Sequence, residues 1–212
     1  MKIIDLTHVV SPDMPMYPGT EPPQIATECI IDRDGFLEKR VSLSSHTGTH
    51  IDAPAHIVKG RATLDKIAVE RFHGSAVMLD ATGFRNKIID IRTLETCKER
   101  VQTVDFIIFH TGWSRYWGME EYFSGYPVLS EAAADWLGNF QLKGIGFDAI
   151  SADEDESRDF PIHNTLLGQE IIIVENLTNL SALPETPFEF SCFPLKIEEA
   201  DGSPVRAVAY IR

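Results

Sequence analysis

Two hydrophobic patterns in the chain predict two kinds of β-strand. In LEKRVSLSS, residues 37–45, apolar and polar residues alternate, as in a strand with one covered face. In VDFIIFHTG, residues 104–112, the apolar run is continuous, which is typical of a strand covered on both faces. We expect the alternating strand to run on into the histidine-rich segment that follows and to end at Pro54.

Helical and strand patterns alternate along the rest of the chain. Ser130 is a suitable N-cap for a helix over EAAADWL. The pattern predicts a single α/β domain over residues 1–212 with a mixed sheet. The other predicted elements are strands at 2–7, 75–81, 143–151 and 169–177, short helices at 64–72 and 92–100, and a C-terminal hairpin over 188–212 that turns at Asp201-Gly202.

Residues 11–23 form a proline-rich segment that we predict to be a stiff loop. Five of its thirteen residues are proline, which precludes regular structure. Tyr17 lies on this loop. It either covers a binding pocket or packs on the surface as an ordinary aromatic residue.

Composition excludes several classes of protein. The formal net charge is −13, so the chain has no basic surface for nucleic acid or for an anionic membrane. The N-terminal residues lack the apolar run of a signal peptide, and no apolar stretch reaches membrane-spanning length. Three widely spaced cysteines indicate neither a disulfide framework nor a thiolate metal site. We therefore expect a cytoplasmic protein that acts on a small molecule.

The candidate chemistry is concentrated in HTGTHIDAPAH, residues 46–56. Three of the seven histidines lie in these eleven residues, where even spreading would place about 0.4. Side chains two and four residues apart share one face of a strand, so we expect His46, His50 and Asp52 to converge. Gly48 would fall on the same face and leave a gap for an ion and its water.

This ligand set indicates a metal site. Imidazole and carboxylate groups without thiolate suit Zn²⁺, Mn²⁺ or Fe²⁺, of which Zn²⁺ is the first choice. His56 follows Pro54, where the chain must turn, so it can approach the ion from another direction. We interpret it as a proton shuttle. The alternatives are that His56 is a further ligand or a surface residue.

The segment HTGTHIDAPAH resembles the signature of the cyclase-like metal hydrolases, which include bacterial kynurenine formamidases. The resemblance extends along nearly the whole chain, in the same order. Its other segments are IIDLTH at the start, TGW at 111–113, GIGFDAIS at 144–151, IHNTLLGQEIIIVENL at 162–177 and PLKIEEADGSPVRAVA at 194–209.

The resemblance implies a role for each matching residue. His46 and His50 would bind one ion, Asp52 and Glu175 would be shared between two ions, and His163 would bind the second. His56 would donate and accept protons. Without the resemblance, His163 and Glu175 would be interpreted as a loop histidine and a solvated carboxylate. The resemblance also implies a compact β/β/α fold of the swivelling type, assembled as a homodimer or larger homo-oligomer.

The resemblance leaves the substrate open. Kynurenine formamidases are similar to one another in a tryptophan before the Pro-Gly of the proline-rich loop, where this chain has Tyr17. We expect hydrolysis of an aryl formamide such as N-formylkynurenine, in which metal ions lower the pKa of a water and His56 protonates the leaving nitrogen. The alternatives are a cyclic amide or lactone hydrolase like isatin hydrolase, a metal-binding protein without turnover, and a polyketide-type cyclisation catalyst.

Overall fold

A single mixed sheet organises the chain in the computed structural model, which describes residues 1–84 and 88–212. Within those residues the strands in chain order are β1 (Lys2–Asp5), β2 (Gln24–Cys29), β3 (Glu38–Ser42), β4 (His50–Asp52), β5 (His73–Asp80), β6 (Ile88–Ile89), β7 (Phe106–His110), β8 (Val128–Leu129), β9 (Gly144–Phe147), β10 (Ile172–Glu175), β11 (Phe188–Ser191), β12 (Gly202–Pro204) and β13 (Val208–Ile211).

Nine of these strands form the main sheet, in the order β1-β13-β11-β5-β7-β9-β10-β4-β12. The four central strands β5, β7, β9 and β10 are parallel, and the outer strands pair antiparallel. The sheet curls on itself: Thr7, just after β1, forms a bridge with Leu177, just after β10. Curling closes one face of the sheet around an inner apolar core.

The core has two layers because alternate residues of the central strands point to opposite faces. In β7, Phe106 and Ile108 belong to the inner cluster, whereas Ile107 and Phe109 pack under the helices. This confirms the prediction of a strand covered on both faces. The fold is therefore a mixed α/β domain with a curled mixed sheet.

Short helices cover the outer face of the sheet. Helix α1 (Ile31–Asp34) is separate from them, because it lies between β2 and β3 and buries no residue. The covering helices are α2 (Ile91–Glu95), α3 (Lys98–Val101), α4 (Glu131–Leu137) and α5 (Pro161–Gly168). Ser130 caps α4 as predicted, since its hydroxyl accepts a hydrogen bond from the Ala133 N–H. Leu137 of α4 and Leu166 of α5 are fully buried in the outer cluster.

Two predicted helices are wrong in extent. Residues 64–72 form two 3₁₀ turns, because the backbone is extended at Ile67 and Ala68 between them. The predicted helix at 92–100 is divided into α2 and α3 by a non-helical Cys97. His73, the residue directly after the predicted helix at 64–72, begins β5.

The predicted C-terminal hairpin is also wrong. β11 pairs with β13, as the hairpin would require, but Asp201-Gly202 is not its turn. Gly202 begins β12, which pairs with β4 at the far end of the sheet. An Asp-Gly pair fits a hairpin turn, and nothing in the local pattern indicates that the segment pairs with a strand about 150 residues earlier.

Strands β2 and β3 form a separate two-stranded arm, residues 24–42, outside the main sheet. Hydrogen bonds such as Arg33 to the Glu28 carbonyl and Lys39 to Thr27 stay within the arm. Phe36 and Leu37 at its tip are more than half exposed. The arm thus presents apolar side chains to its surroundings.

None of the helices in the described ranges 1–84 and 88–212 has the length and apolar content needed to cross a membrane. The cytoplasmic location stays a prediction.

Candidate metal centre

Four segments that are distant in sequence meet at one end of the sheet. β4 supplies His50 and Asp52, the end of β10 supplies Glu175, and the first turn of α5 supplies His163. The antiparallel pairing of β10 with β4 places Glu175 opposite His50. The fourth segment, just before β12, brings Asp201 to the same place, because Gly202 pairs with Asp52.

Four ionisable side chains form the buried centre of the site: His50, Asp52, His163 and Glu175 are each at most 5% exposed. The Nε2 atom of His50 lies 3.4 Å from Oδ1 of Asp52 and 3.5 Å from Oε2 of Glu175. The Nε2 atom of His163 lies 3.2 Å from Oε1 of Glu175 and 3.6 Å from Oδ2 of Asp52. Two imidazole nitrogens and two carboxylates therefore face one another.

Both imidazole rings are held so that Nε2 faces this centre. The Nδ1–H of His50 donates to the Gly48 carbonyl at 2.8 Å, and the Nδ1–H of His163 donates to Asp153 at 2.6 Å. A proton fixed on Nδ1 leaves the Nε2 lone pair free to bind a cation. A carboxylate or carbonyl behind the ring is the usual support of a metal-binding histidine.

The spacing of these atoms fits a metal ion. Ligand atoms about 2.1 Å from a tetrahedrally coordinated ion lie about 3.4 Å from one another. The four nitrogen–oxygen distances of the centre, 3.2 to 3.6 Å, agree with that separation. Three groups of three residues each have their ligand atoms within 4.8 Å of one another: His46/His50/Asp52, Asp52/His163/Glu175 and His46/His56/Asp201. Asp52 belongs to the first two groups.

Without a cation, protons balance the charge of the buried carboxylates. Burial alone would lower the pKa of His50, but Asp52 and Glu175 raise it to about 10. Burial likewise opposes charge on His163, yet Asp153, Asp52 and Glu175 hold its pKa well above the usual value. Burial favours a neutral Asp52, but the adjacent histidines hold its pKa well below the usual range. The centre is built to hold positive charge.

His46 reaches this group from a turn, not from a strand. β3 ends at Ser42, so the expected continuous strand from 37 to 54 is wrong. The Nδ1 atom of His46 lies 2.7 Å from Oδ1 of Asp52.

Gly48 does not leave the gap on a strand face that the sequence predicts. It takes a left-handed φ of 64°, and a Cβ there would lie 3.1 Å from the Met14 side chain. Its role is to turn the chain.

His56 lies at the end of a 3₁₀ turn that starts at Pro54, which ends β4 as predicted. Its ring centroid is 4.0 Å from that of His46 and 6.1 Å from that of His163. The ring therefore borders the centre without lying between the two buried carboxylates. Burial lowers the pKa of His56, and nearby positive charge on His46 adds to this effect.

The site opens into a cavity of about 390 Å³. The proline-rich loop forms one wall through Pro15, Met16 and Tyr17, and Ile57, Ile150 and Phe160 add apolar surface. Tyr17, placed on this wall, is 37% exposed. The lining residues within 1–84 and 88–212 include no lysine or arginine.

Three residues at the site were missed by the sequence analysis. Asp153 supports His163, Asn176 donates to the Gly48 carbonyl at 2.9 Å, and Asp201 contacts both His46 and His56. Asn176 lies inside the predicted strand at 169–177, and Asp153 lies two residues after the predicted strand at 143–151. Asp201 had no signal except its place in a segment quoted for the family resemblance.

Comparisons with known proteins agree on one family. A family model described as putative cyclase matches residues 4–154. A kynurenine formamidase of Erythrobacter litoralis is 27% identical, with 98% of this chain and 93% of the relative covered. Isatin hydrolase A from Ralstonia solanacearum has a TM-score of 0.87 at 27% identity, covering 100% of this chain and 92% of that one. A potential metal-dependent hydrolase with cyclase activity has a TM-score of 0.83 at 30% identity, covering 100% and 98%.

Proposed function

Because the chain belongs to the cyclase family and is, like its relatives, a metal-dependent hydrolase, we propose that it cleaves the amide bond of a small aryl formamide. N-formylkynurenine is the first candidate, with kynurenine and formate as products. The observation that most directly supports this proposal is the buried centre. In it, two imidazole nitrogens and two carboxylates face one another at the separation of metal ligands.

The proposal assigns the metal ligands to five residues. His46 and His50 hold one ion, His163 holds the second, and Asp52 and Glu175 are shared. Zn²⁺ is the preferred ion, since the donors are imidazole and carboxylate, and Mn²⁺ is the alternative. When bound, such an ion lowers the pKa of water from about 16 toward about 7 and polarises a carbonyl oxygen.

His56 carries the proton transfer in this proposal. Its position beside the centre and its lowered pKa support a neutral imidazole near pH 7, which can accept a proton from the attacking water. The water oxygen bonds to the formyl carbon and the carbon–nitrogen bond breaks. His56 then returns the proton to the departing nitrogen.

The cavity supports an aromatic substrate without a large negative charge. Tyr17, Ile150 and Phe160 offer apolar surface to a ring, and the volume suits a ligand of one or two rings. No lysine or arginine among the described lining residues offers a partner to an anion. Tyr17 is proposed as the residue that packs against the substrate ring.

A cyclic amide is the second candidate substrate. The likeness to isatin hydrolase A extends over the whole chain, at an identity equal to that of the formamidase relative. Ring opening of a cyclic amide needs the same attack on a carbonyl and the same protonation of nitrogen. The two substrates differ in the shape that must fit beside Tyr17.

We also propose a homodimer, for which the arm over residues 24–42 is the support. Apolar side chains at its tip are exposed, as are Phe193, Leu195 and Ile197 on another part of the same chain. Each patch on one molecule can pack against the other patch on a second copy of the chain.

The homodimer is tested by light scattering. The native protein should be a dimer, and the double variant Phe36→Asp with Leu37→Asp should be a monomer. Val69→Asp, an exposed position outside both patches, is the control.

The function is tested with purified protein and a panel of N-formylkynurenine, formanilides, isatin and aryl lactones. Bound metal is counted per chain, and each substrate is assayed before chelation, after chelation and after return of zinc or manganese. We expect formamide hydrolysis that is lost with the metal and restored by it. A protein that holds metal but turns over no substrate would support metal binding without turnover.

A further inference from the structure

A single carboxylate oxygen joins the two histidines that lie on the cavity side of the site. Oδ2 of Asp201 lies 3.0 Å from Nε2 of His46 and 3.2 Å from Nδ1 of His56. Asp201 is 155 residues from His46 and 145 from His56 along the chain. The contact therefore results from the fold, not from sequence proximity.

This contact selects which nitrogen of His56 keeps a lone pair, and it orients the ring of His46. A neutral imidazole carries one proton, and a carboxylate beside one nitrogen holds the proton there. For His56 the proton is held on Nδ1, which leaves Nε2 as the basic nitrogen. The ring of His46 lies between two carboxylates, since its Nδ1 is 2.7 Å from Oδ1 of Asp52 and its Nε2 is 3.0 Å from Oδ2 of Asp201. The same oxygen of Asp201 thus sets the tautomer of His56 and the orientation of the His46 ring.

The backbone around Asp201 is fixed on both sides. Its carbonyl accepts a hydrogen bond from the Ala53 N–H at 2.8 Å, and Gly202 is paired with Asp52. A Cβ at residue 202 would lie 2.5 Å from the His46 ring, so only glycine allows β12 to pass so close. Asp201 is held against the imidazoles by strand pairing, not by a flexible loop.

We infer that Asp201 is a positioning residue, which sets the tautomer of the proton carrier His56 and orients the ring of the ligand His46. The inference rests on the proposed function for those two roles. Asp201 itself needs no contact with the substrate or with the ion. Removing it should reduce metal affinity and turnover together, because both rings lose the group that orients them.

Asp201→Asn is the test variant, since asparagine keeps the shape but loses the charge and one acceptor oxygen. We expect kcat at saturating zinc to fall about 10- to 100-fold with KM within about threefold, and the zinc dissociation constant to rise about 10- to 100-fold. Asp65→Asn is the matched control. Asp65 accepts from the Glu199 N–H on the same loop and contacts neither histidine.

A second readout does not depend on activity. Imidazole ¹⁵N spectra of the metal-free protein report the tautomer of His56, with His56→Gln and His46→Gln used for assignment. His56 should carry its proton on Nδ1 in the native protein and show a mixture of tautomers in Asp201→Asn. Asp65→Asn should match the native protein.

Unchanged tautomers and unchanged kcat in Asp201→Asn would overturn the inference. So would equal losses in Asp65→Asn, since the loop and not the carboxylate would then be responsible. If the native protein hydrolyses no substrate of the panel, the proposed function fails. The spectra and the zinc titration would still decide the role of Asp201.

Discussion

Glu175 lies directly opposite His50 in the pairing of β10 with β4, and its Oε2 is 3.5 Å from Nε2 of that histidine. Because the other oxygen of the same glutamate, Oε1, is 3.2 Å from Nε2 of His163, Glu175 lies between the two buried histidines of the centre.

Glu175→Gln should therefore weaken zinc binding by about 100-fold or more and abolish turnover. Zinc per chain and a zinc titration measure the loss. Glu170→Gln, an exposed glutamate next to Arg61, should behave as the native protein. Native zinc affinity in Glu175→Gln would contradict its role as a ligand.

His56→Ala should separate proton transfer from metal binding. Because the ring borders the centre without joining the two carboxylates, we expect bound zinc to be retained while kcat falls about 10²- to 10⁴-fold. The measurements are zinc per chain and kcat on the best substrate of the panel. His73→Ala, whose side chain is 48% exposed on β5, is the control. Loss of zinc in His56→Ala would instead make His56 a ligand.

Zinc binding near pH 7 should release protons. The pKa of about 10 for His50 and the raised pKa of His163 mean that both rings are protonated in the metal-free protein. His46, the third proposed histidine ligand, also has a raised pKa. A histidine must be neutral to bind zinc, so about two to three protons should leave per chain. Calorimetric titration in buffers of different ionisation enthalpy counts them. Binding without proton release would contradict the charge state described for the centre.

The raised pKa values of His50 and His163 also predict that the metal-free protein loses stability at alkaline pH. A histidine whose pKa is raised on folding contributes stability that is complete below pH 6.5 and is lost as the pH rises through its folded value, about 10 for His50. The melting temperature of chelated protein should therefore fall between pH 7 and pH 10. The fall should be smaller with zinc bound. Parallel curves for the two forms would contradict this account.

His8 predicts a loss of stability in acid. Its ring stacks on Trp117 at 3.7 Å, its Nε2 has no partner among the described residues, and burial lowers its pKa to about 4. The unfolded chain therefore binds more protons between pH 6.5 and 4, so stability falls as the pH falls through this range. His8→Phe should reduce this loss, on the order of 2 kcal/mol by linkage. Urea unfolding at pH 7 and pH 4.5 measures it, with His73→Phe as control. An equal loss of unfolding free energy between pH 7 and pH 4.5 in His8→Phe and in the native protein would contradict the prediction.

Tyr17 should affect substrate binding more than chemistry. Tyr17→Ala removes an aromatic wall of the cavity, so KM for aryl substrates should rise about tenfold with kcat within about threefold. Tyr17→Phe keeps the ring and should change KM by less than about twofold. Steady-state kinetics on a formanilide and on isatin measure both. An equal effect on an aliphatic formamide would argue against contact with the substrate ring.

The elements predicted well from the sequence are those determined by neighbouring residues. The apolar run of β7 and the Ser130 cap depend on contacts within a few positions, and both are confirmed. The density of histidines at 46–56 predicts a candidate site in the segment where the fold brings buried imidazoles and carboxylates together. Local composition is sufficient for such features.

The features predicted badly depend on contacts between distant segments. Asp201-Gly202 has the composition of a turn, yet it pairs with β4, because strand partners are chosen by the whole sheet. His46 was placed on a strand since its spacing fits one, but the backbone turns at Gly48 and still brings the ring to Asp52. The predicted convergence of His46 and Asp52 is present in the fold, but the strand geometry from which it was predicted is wrong.

The link between His46 and Asp201 spans most of the polypeptide. During synthesis, the histidine-rich segment leaves the ribosome long before the strand that completes its surroundings. We therefore expect a nascent chain to lack the finished centre until residues 201–204 have left the ribosome and β12 has reached β4. Premature termination upstream of residue 201 would then leave a product with most of its imidazoles and no competent enzyme.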